Sequence, residues 1–223
     1  MDNEPAESLL IFLTEAKPMN QANLQHFLDH QYIPFSKKQC IQRILLIWLL
    51  SLVPVFVGTH SAAWALVLAV LNLIISVLFV FLMARDPQSR LQRYLCDGVA
   101  FLHLAVLLML SAYRTITFKN GDNWILLLLL AAVLAEDTLF FFFLTLRNIV
   151  ADKYRPDNAK SGSAAAPYVF GTAGFMASGW ILHGQGQEAS LTILAVCFMI
   201  LSLMMGIGSL NLMKAYYSFR RIP

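Results

Sequence analysis

The sequence predicts an all-α, polytopic integral membrane protein. It reads as a helix bundle of about six transmembrane segments behind a short cytosolic pair of amphipathic helices. Three observations predict this. The chain is 58% hydrophobic and only 13% charged, whereas soluble domains carry roughly 25% charged residues. Apolar runs of about 20 residues, the length that crosses a bilayer, recur along it. Lys and Arg crowd alternate connections, as they do in multi-pass proteins.

Residues 1–36 are not a span. The first residues are acidic (Asp2, Glu4, Glu7) and lack the basic start of a cleavable signal peptide, so the first span is expected to act as its own insertion signal. Ala6, Leu9, Leu10 and Leu13 share one helical face, and Lys17-Pro18 ends that helix. A second piece puts Leu24, Phe27, Leu28 and Tyr32 on one face. The pair is expected either to pack on the bundle or to meet a membrane surface or partner. His26 and His30 stand four apart, but nothing completes a metal set, and both are expected to be solvated.

The bundle occupies residues 37–223. Span 1 covers 41–57 and holds Pro54, a candidate kink. Gly58–Ser61 turns the chain into span 2, 62–83, with Asn72 near its middle. Span 3, 94–112, carries Asp97 near its start and His103 near its centre. Asn120-Gly121-Asp122-Asn123 is a turn into span 4, 124–146. Span 5, 167–182, is short and rich in small residues, with Gly174 and Ser178 suited to close helix packing or to a re-entrant path. Span 6, 191–213, runs into Tyr216, Tyr217, Phe219, Arg220 and Arg221, which suit an interface.

With six spans, all but Arg114 and Lys119 of the 16 Lys and Arg residues fall on one side. The positive-inside rule then places both termini in the cytosol. The net charge of +3 bears on topology rather than on nucleic acid.

Span 4 is expected to organise the rest, because the adjacent carboxylates Glu136 and Asp137 interrupt its apolar run. A charge at bilayer depth costs at least about 2.5–3.5 kcal/mol, so some helix or water must shield it. At about 1.5 Å per residue, Asn72, His103, Glu136 and Asp137 all fall near the midplane. One polar layer is the economical arrangement, with His103 paired to Glu136 or Asp137. Successive helix residues diverge by about 100°, so the two carboxylates cannot share one partner.

Such a layer points to a path for lipid or a small solute. The alternatives are a non-transporting adaptor or regulatory subunit and, third, an intramembrane enzyme. Catalysis has little support. Ser178-Gly179 has no histidine base in span 6, Asp97-Gly98 lacks later aspartates, and there is no phosphate loop. No catalytic residue, metal or cofactor is expected. Cys40, Cys96 and Cys197 are far apart in sequence, which argues against a disulfide framework, a metal site or a redox site.

Several features resemble the C-terminal half of the XK-related membrane proteins, a family that includes phospholipid scramblases. They are Arg43 opening an apolar helix, Gly98 before an outer turn with Arg114, Thr115 and Gly121, the pair Glu136-Asp137, and the ending through Tyr216-Tyr217 to Pro223. Span 5 departs as an insertion, and the family's N-terminal half is absent. The resemblance implies lipid movement between leaflets, with membrane lipids and either a second copy or another subunit as partners.

Overall fold

The computed structural model describes residues 20–30, 36–56, 61–84, 90–118, 121–156 and 187–220. All the elements among them are helices: α1 (Gln21–Asp29), α2 (Lys37–Phe56), α3 (Ser61–Ala84), α4 (Arg90–Ile116), α5 (Trp124–Val150), α6 (Gln187–Gly208) and α7 (Asn211–Arg220). Among the described residues, five stretches are long and apolar enough to cross a membrane: α2, α3, α4, α5 and the run Leu191–Phe219. The protein is therefore an all-α, multi-pass membrane bundle. Span 5 and the first amphipathic helix lie outside the described residues.

The chain divides into two units, Ile33–Phe142 with Gly162–Pro223, and Met1–Tyr32 with Phe143–Ser161. In the larger unit α4 is the hub. It packs against α6, α7 and α2, and more lightly against α3, while α3 also packs on α2. The share of the apolar stretch that is buried is 67% in α4, 11% in α5 and 22% in the other three. Span 4 is thus not the organising element. The reason is composition. Helix α4 buries Arg93, Asp97, His103, Ser111, Arg114 and Thr115, groups that acyl chains cannot satisfy and neighbouring helices can. The more apolar α5 tolerates lipid along most of its surface.

Around α4, one core joins Cys40 and Ile47 of α2, Leu68, Phe79 and Leu82 of α3, and Leu104 and Leu107 of α4. A second joins Met109 and Tyr113 to Leu130 and Leu134 of α5, with Met199 and Leu203 packed against it. Ser202 Oγ donates to the Ala105 carbonyl oxygen at 2.7 Å, a direct α6–α4 bond of the kind that holds membrane helices together. Span 6 is not one helix. It breaks after Gly208, where Ser209 Oγ donates to the Gly206 carbonyl and Asn211 Nδ2 to the Gly208 carbonyl.

Two glycines allow close approach at that break. A Cβ on Gly98 would lie 2.7 Å from the backbone nitrogen of Leu212. One on Gly208 would lie 2.5 Å from Cγ of Phe101. Of the expected turn into α5, residues 121–123 are described. Gly121 takes a φ of 76°, and Asn123 Oδ1 accepts from the Leu126 N–H at 3.1 Å as the N-cap.

In the smaller unit, Asn20 caps α1 by accepting from Ala22 N–H, and Phe27 and Leu28 are buried. Asp152 adopts a left-handed φ of 49° just past α5, with the Lys153 N–H bonded back to the Asn148 carbonyl. This is a helix C-cap in which an Asp stands where Gly is usual.

Candidate functional site

The midplane residues do not form one layer. Asn72 and His103 meet each other, Asn72 Oδ1 to His103 Nε2 at 2.9 Å, both buried between α3 and α4. This replaces the expected pairing of His103 with Glu136 or Asp137. His103 lies on the α3-facing side of α4, and the Asn72 oxygen is near enough to satisfy one ring nitrogen. The Asn72 Nδ2 is buried without a hydrogen bond among the described residues.

The acidic pair splits as the 100° rule requires. Asp137 turns toward α6, where its Oδ2 is buried without a hydrogen bond among the described residues. It lies 3.3 Å from where a Cβ on Gly206 would stand, so that glycine makes room for the carboxyl. Glu136 is exposed. Its helical neighbours Leu129, Val133, Leu139 and Phe140 are exposed as well. The shielding expected for Glu136 is therefore not provided within the described residues.

Charge concentrates elsewhere, at two junctions the sequence did not single out. At the start of α2 and α4, Asp97 holds two guanidinium groups. Arg43 Nη1 pairs with its Oδ1, and Arg93 Nε lies 2.8 Å from its Oδ2. Arg93 Nη1 also donates to Gln39 Oε1. The Asp97 side chain is only 10% exposed. Beside it, Cys40 Sγ and Cys96 Sγ are 2.8 Å apart, and Arg43 Nη1 is 3.8 Å from the Cys96 sulfur. Cysteines separated by a whole helical hairpin are thus brought together, although their spacing in the sequence argues against a disulfide framework. The i, i+4 spacing of Arg93 and Asp97 was the available signal for the ionic part.

At the other end, Arg114 is 1% exposed. Its Nε donates to the Pro54 carbonyl at 3.2 Å and its Nη1 to Asp122 Oδ1 at 3.0 Å. Its guanidinium lies 5.5 Å from the Trp64 ring centroid. Pro54 stands in the last turn of α2, where carbonyls lack intrahelical donors, and Arg114 supplies one. Tyr113 reinforces the junction, its hydroxyl accepting from Asn123 N–H at 2.8 Å. A cavity of about 500 Å³ opens beside it, lined by Thr117, Asp122, Asn123 and Trp124 among others.

In the smaller unit His26 and His30 are not simply solvated. His26 Nδ1 lies 2.9 Å from Asp152 Oδ1, and His30 and Phe27 both stack near the Tyr154 ring at 5.1 Å. Burial pushes the Tyr154 phenol above its ordinary range, against hydrogen bonds from Thr145 and Asn148 that act the other way. Asn23 Nδ2 donates to the Val150 carbonyl at 3.3 Å. These contacts fasten α1 to the end of α5. No group of three or more His, Cys, Asp or Glu able to hold a metal occurs among the described residues.

Fold and site together define a multi-pass α-helical membrane protein whose central helix is pinned by buried charge at both ends. No family model, curated protein or solved structure matches the chain.

Proposed function

We propose that the protein is a non-transporting subunit of a membrane complex, with both termini in the cytosol. In this reading the face of α5 bearing Glu136 docks a transmembrane helix of another protein. One observation carries it: a carboxylate sits exposed at the middle of a spanning helix, among exposed leucine, valine and phenylalanine. Acyl chains cannot satisfy that group. Charge complementarity selects the occupant, a helix with Lys, Arg or His at matching depth. A second copy of the same face would oppose carboxylate to carboxylate.

The test is a photo-crosslinking residue at Val133 or Leu139 in native membranes, followed by peptide mapping. The expected product joins α5 to a foreign transmembrane segment carrying a basic residue, and Glu136→Lys abolishes it. A crosslink to a second copy, to a segment without a basic residue, or to lipid alone overturns the reading.

Lipid translocation is the second reading. The same exposed carboxylate, with Asp137 behind it, favours a headgroup ammonium moving along the membrane-facing side of α5, as the resemblance to XK-related proteins implies. Purified protein in liposomes then exchanges fluorescent lipid between leaflets, and Glu136→Gln stops the exchange. Lipid asymmetry that persists with the wild-type chain removes this reading. A third reading, an intramembrane enzyme, has no assembled nucleophile and base among the described residues to support it.

A further inference from the structure

We propose that Cys40 and Cys96 form a reversible dithiol–disulfide site that covalently staples α2 to α4. Both residues are fully buried, and their sulfurs are 2.8 Å apart. A disulfide requires about 2.05 Å, so closure needs a movement of only about 0.8 Å. The surrounding ion cluster fixes the two helices in register. Arg43 is one turn beyond Cys40 on α2, Asp97 follows Cys96 on α4, and the two pair directly. The thiols are therefore held together by an interaction that does not involve sulfur. The third cysteine, Cys197, belongs to α6 and is only partly buried, which makes it an internal reference.

The chemistry balances with a peroxide as the oxidant. Cys96, whose sulfur has the Arg43 guanidinium 3.8 Å away, attacks one oxygen of hydrogen peroxide as the thiolate. The O–O bond breaks, an S–O bond forms, and the departing hydroxide takes a proton to become water. Cys96 is then a sulfenic acid. The Cys40 sulfur attacks the Cys96 sulfur, the S–S bond forms and the S–O bond breaks. The second hydroxide leaves as water with the proton from Cys40. Two thiols are oxidised by two electrons, and one peroxide is reduced to two waters. A small dithiol reverses the reaction by exchange. Both cysteines lie within the first two turns of their helices, where local opening is easiest and a small neutral oxidant can enter.

The wild-type protein in native membranes is treated with hydrogen peroxide, denatured, alkylated and mapped without reduction. The expected result is a Cys40–Cys96 linked peptide lighter by two hydrogens, loss of alkylation at both positions, and Cys197 alkylated as before. A dithiol restores alkylation at both positions. Cys40→Ala, checked for folding by gel filtration, should leave Cys96 as a sulfenic acid trapped by dimedone. Retained alkylation of Cys40 and Cys96, pairing of either with Cys197 or with another chain, or irreversible oxidation without the linked peptide overturns the proposal. The wild-type map decides this even if the variant does not fold.

Discussion

Asp97→Asn is the perturbation that tests the architecture most directly. In the folded protein one carboxylate, 10% exposed, pairs with both Arg43 and Arg93, whose side chains are 16% and 7% exposed. The substitution keeps the shape and removes the charge, leaving the buried Arg93 and the half-buried Arg43 without the carboxylate that pairs with both among the described residues. Breaking a buried ion pair from one side costs about 3–5 kcal/mol, far more than the pair is worth when both partners are removed. For a chain of this length about 1 kcal/mol shifts the thermal midpoint by roughly 2–4 °C. The variant should therefore unfold roughly 6–20 °C below the wild type in a mild detergent, read by tryptophan fluorescence.

A double-mutant cycle separates this account from a general loss of packing. Arg43→Gln alone leaves Asp97 paired with Arg93 and should cost less than Asp97→Asn. The double variant Arg43→Gln/Asp97→Asn removes one orphaned cation and should be more stable than the two single effects added together, by about 0.5–3 kcal/mol. A midpoint for Asp97→Asn within about 2 °C of wild type, or strict additivity in the cycle, would refute the claim that Asp97 pins α2 to α4.

Three further outcomes follow from the same geometry. Gly98→Ala drives a Cβ to 2.7 Å from the Leu212 backbone nitrogen, an overpacking worth about 1–3 kcal/mol. Leu212→Ala should relieve only its side-chain part, so the double variant stays below wild type in a thermal scan. Arg114→Gln leaves Asp122 and the Pro54 carbonyl short of a buried donor, and should lower the midpoint by the equivalent of about 1–3 kcal/mol. Arg114→Lys should recover only part, because one ammonium cannot span the carbonyl, the carboxylate and the Trp64 ring in the same geometry. For the Asn72–His103 pair, His103→Leu alone strands the Asn72 oxygen and should destabilise by about 1–3 kcal/mol. The double variant Asn72→Leu/His103→Leu should return close to wild type.

The membrane class and four helix positions were legible because they rest on length and hydropathy, which a bilayer imposes uniformly. Spans 62–83, 94–112 and 124–146 fall inside α3, α4 and α5, and span 41–57 overlaps α2 up to its last residue, Phe56. The turn at Gly121 was legible for a local reason, since a few residues decide it, whereas the Asn123 cap within it was not singled out. What was not legible is how helices pair. Cys40 meets Cys96, and Arg43 meets Asp97, across more than fifty residues, and no periodicity within either helix encodes the partner. The break after Gly208 was missed because the high mean hydropathy of Leu191–Phe219 outweighs the polar Ser209 and Asn211 that mark the break.

The expectation for α5 failed on a point of membrane physics. In water the most apolar helix goes to the centre, because burial there is the driving force. In a bilayer the surroundings are as apolar as leucine, so apolarity does not select the interior and polarity does. Helix α4, with charges near both ends and His103 between them, has the strongest claim on protein neighbours and receives them on most sides. Helix α5 has two carboxylates only, and rotation by 100° lets it present one to α6 and leave the other facing out. An acidic residue in a spanning helix therefore marks either the centre of a bundle or a surface awaiting another polar group. The distribution of all its polar residues around the helix decides between them. In α4 they cover several faces, and the helix is enclosed. In α5 the mid-helix polar residues Glu136, Asp137 and Thr138 are consecutive, and among the described residues Glu136 is the charged group there that stays exposed while Asp137 and Thr138 are half-buried.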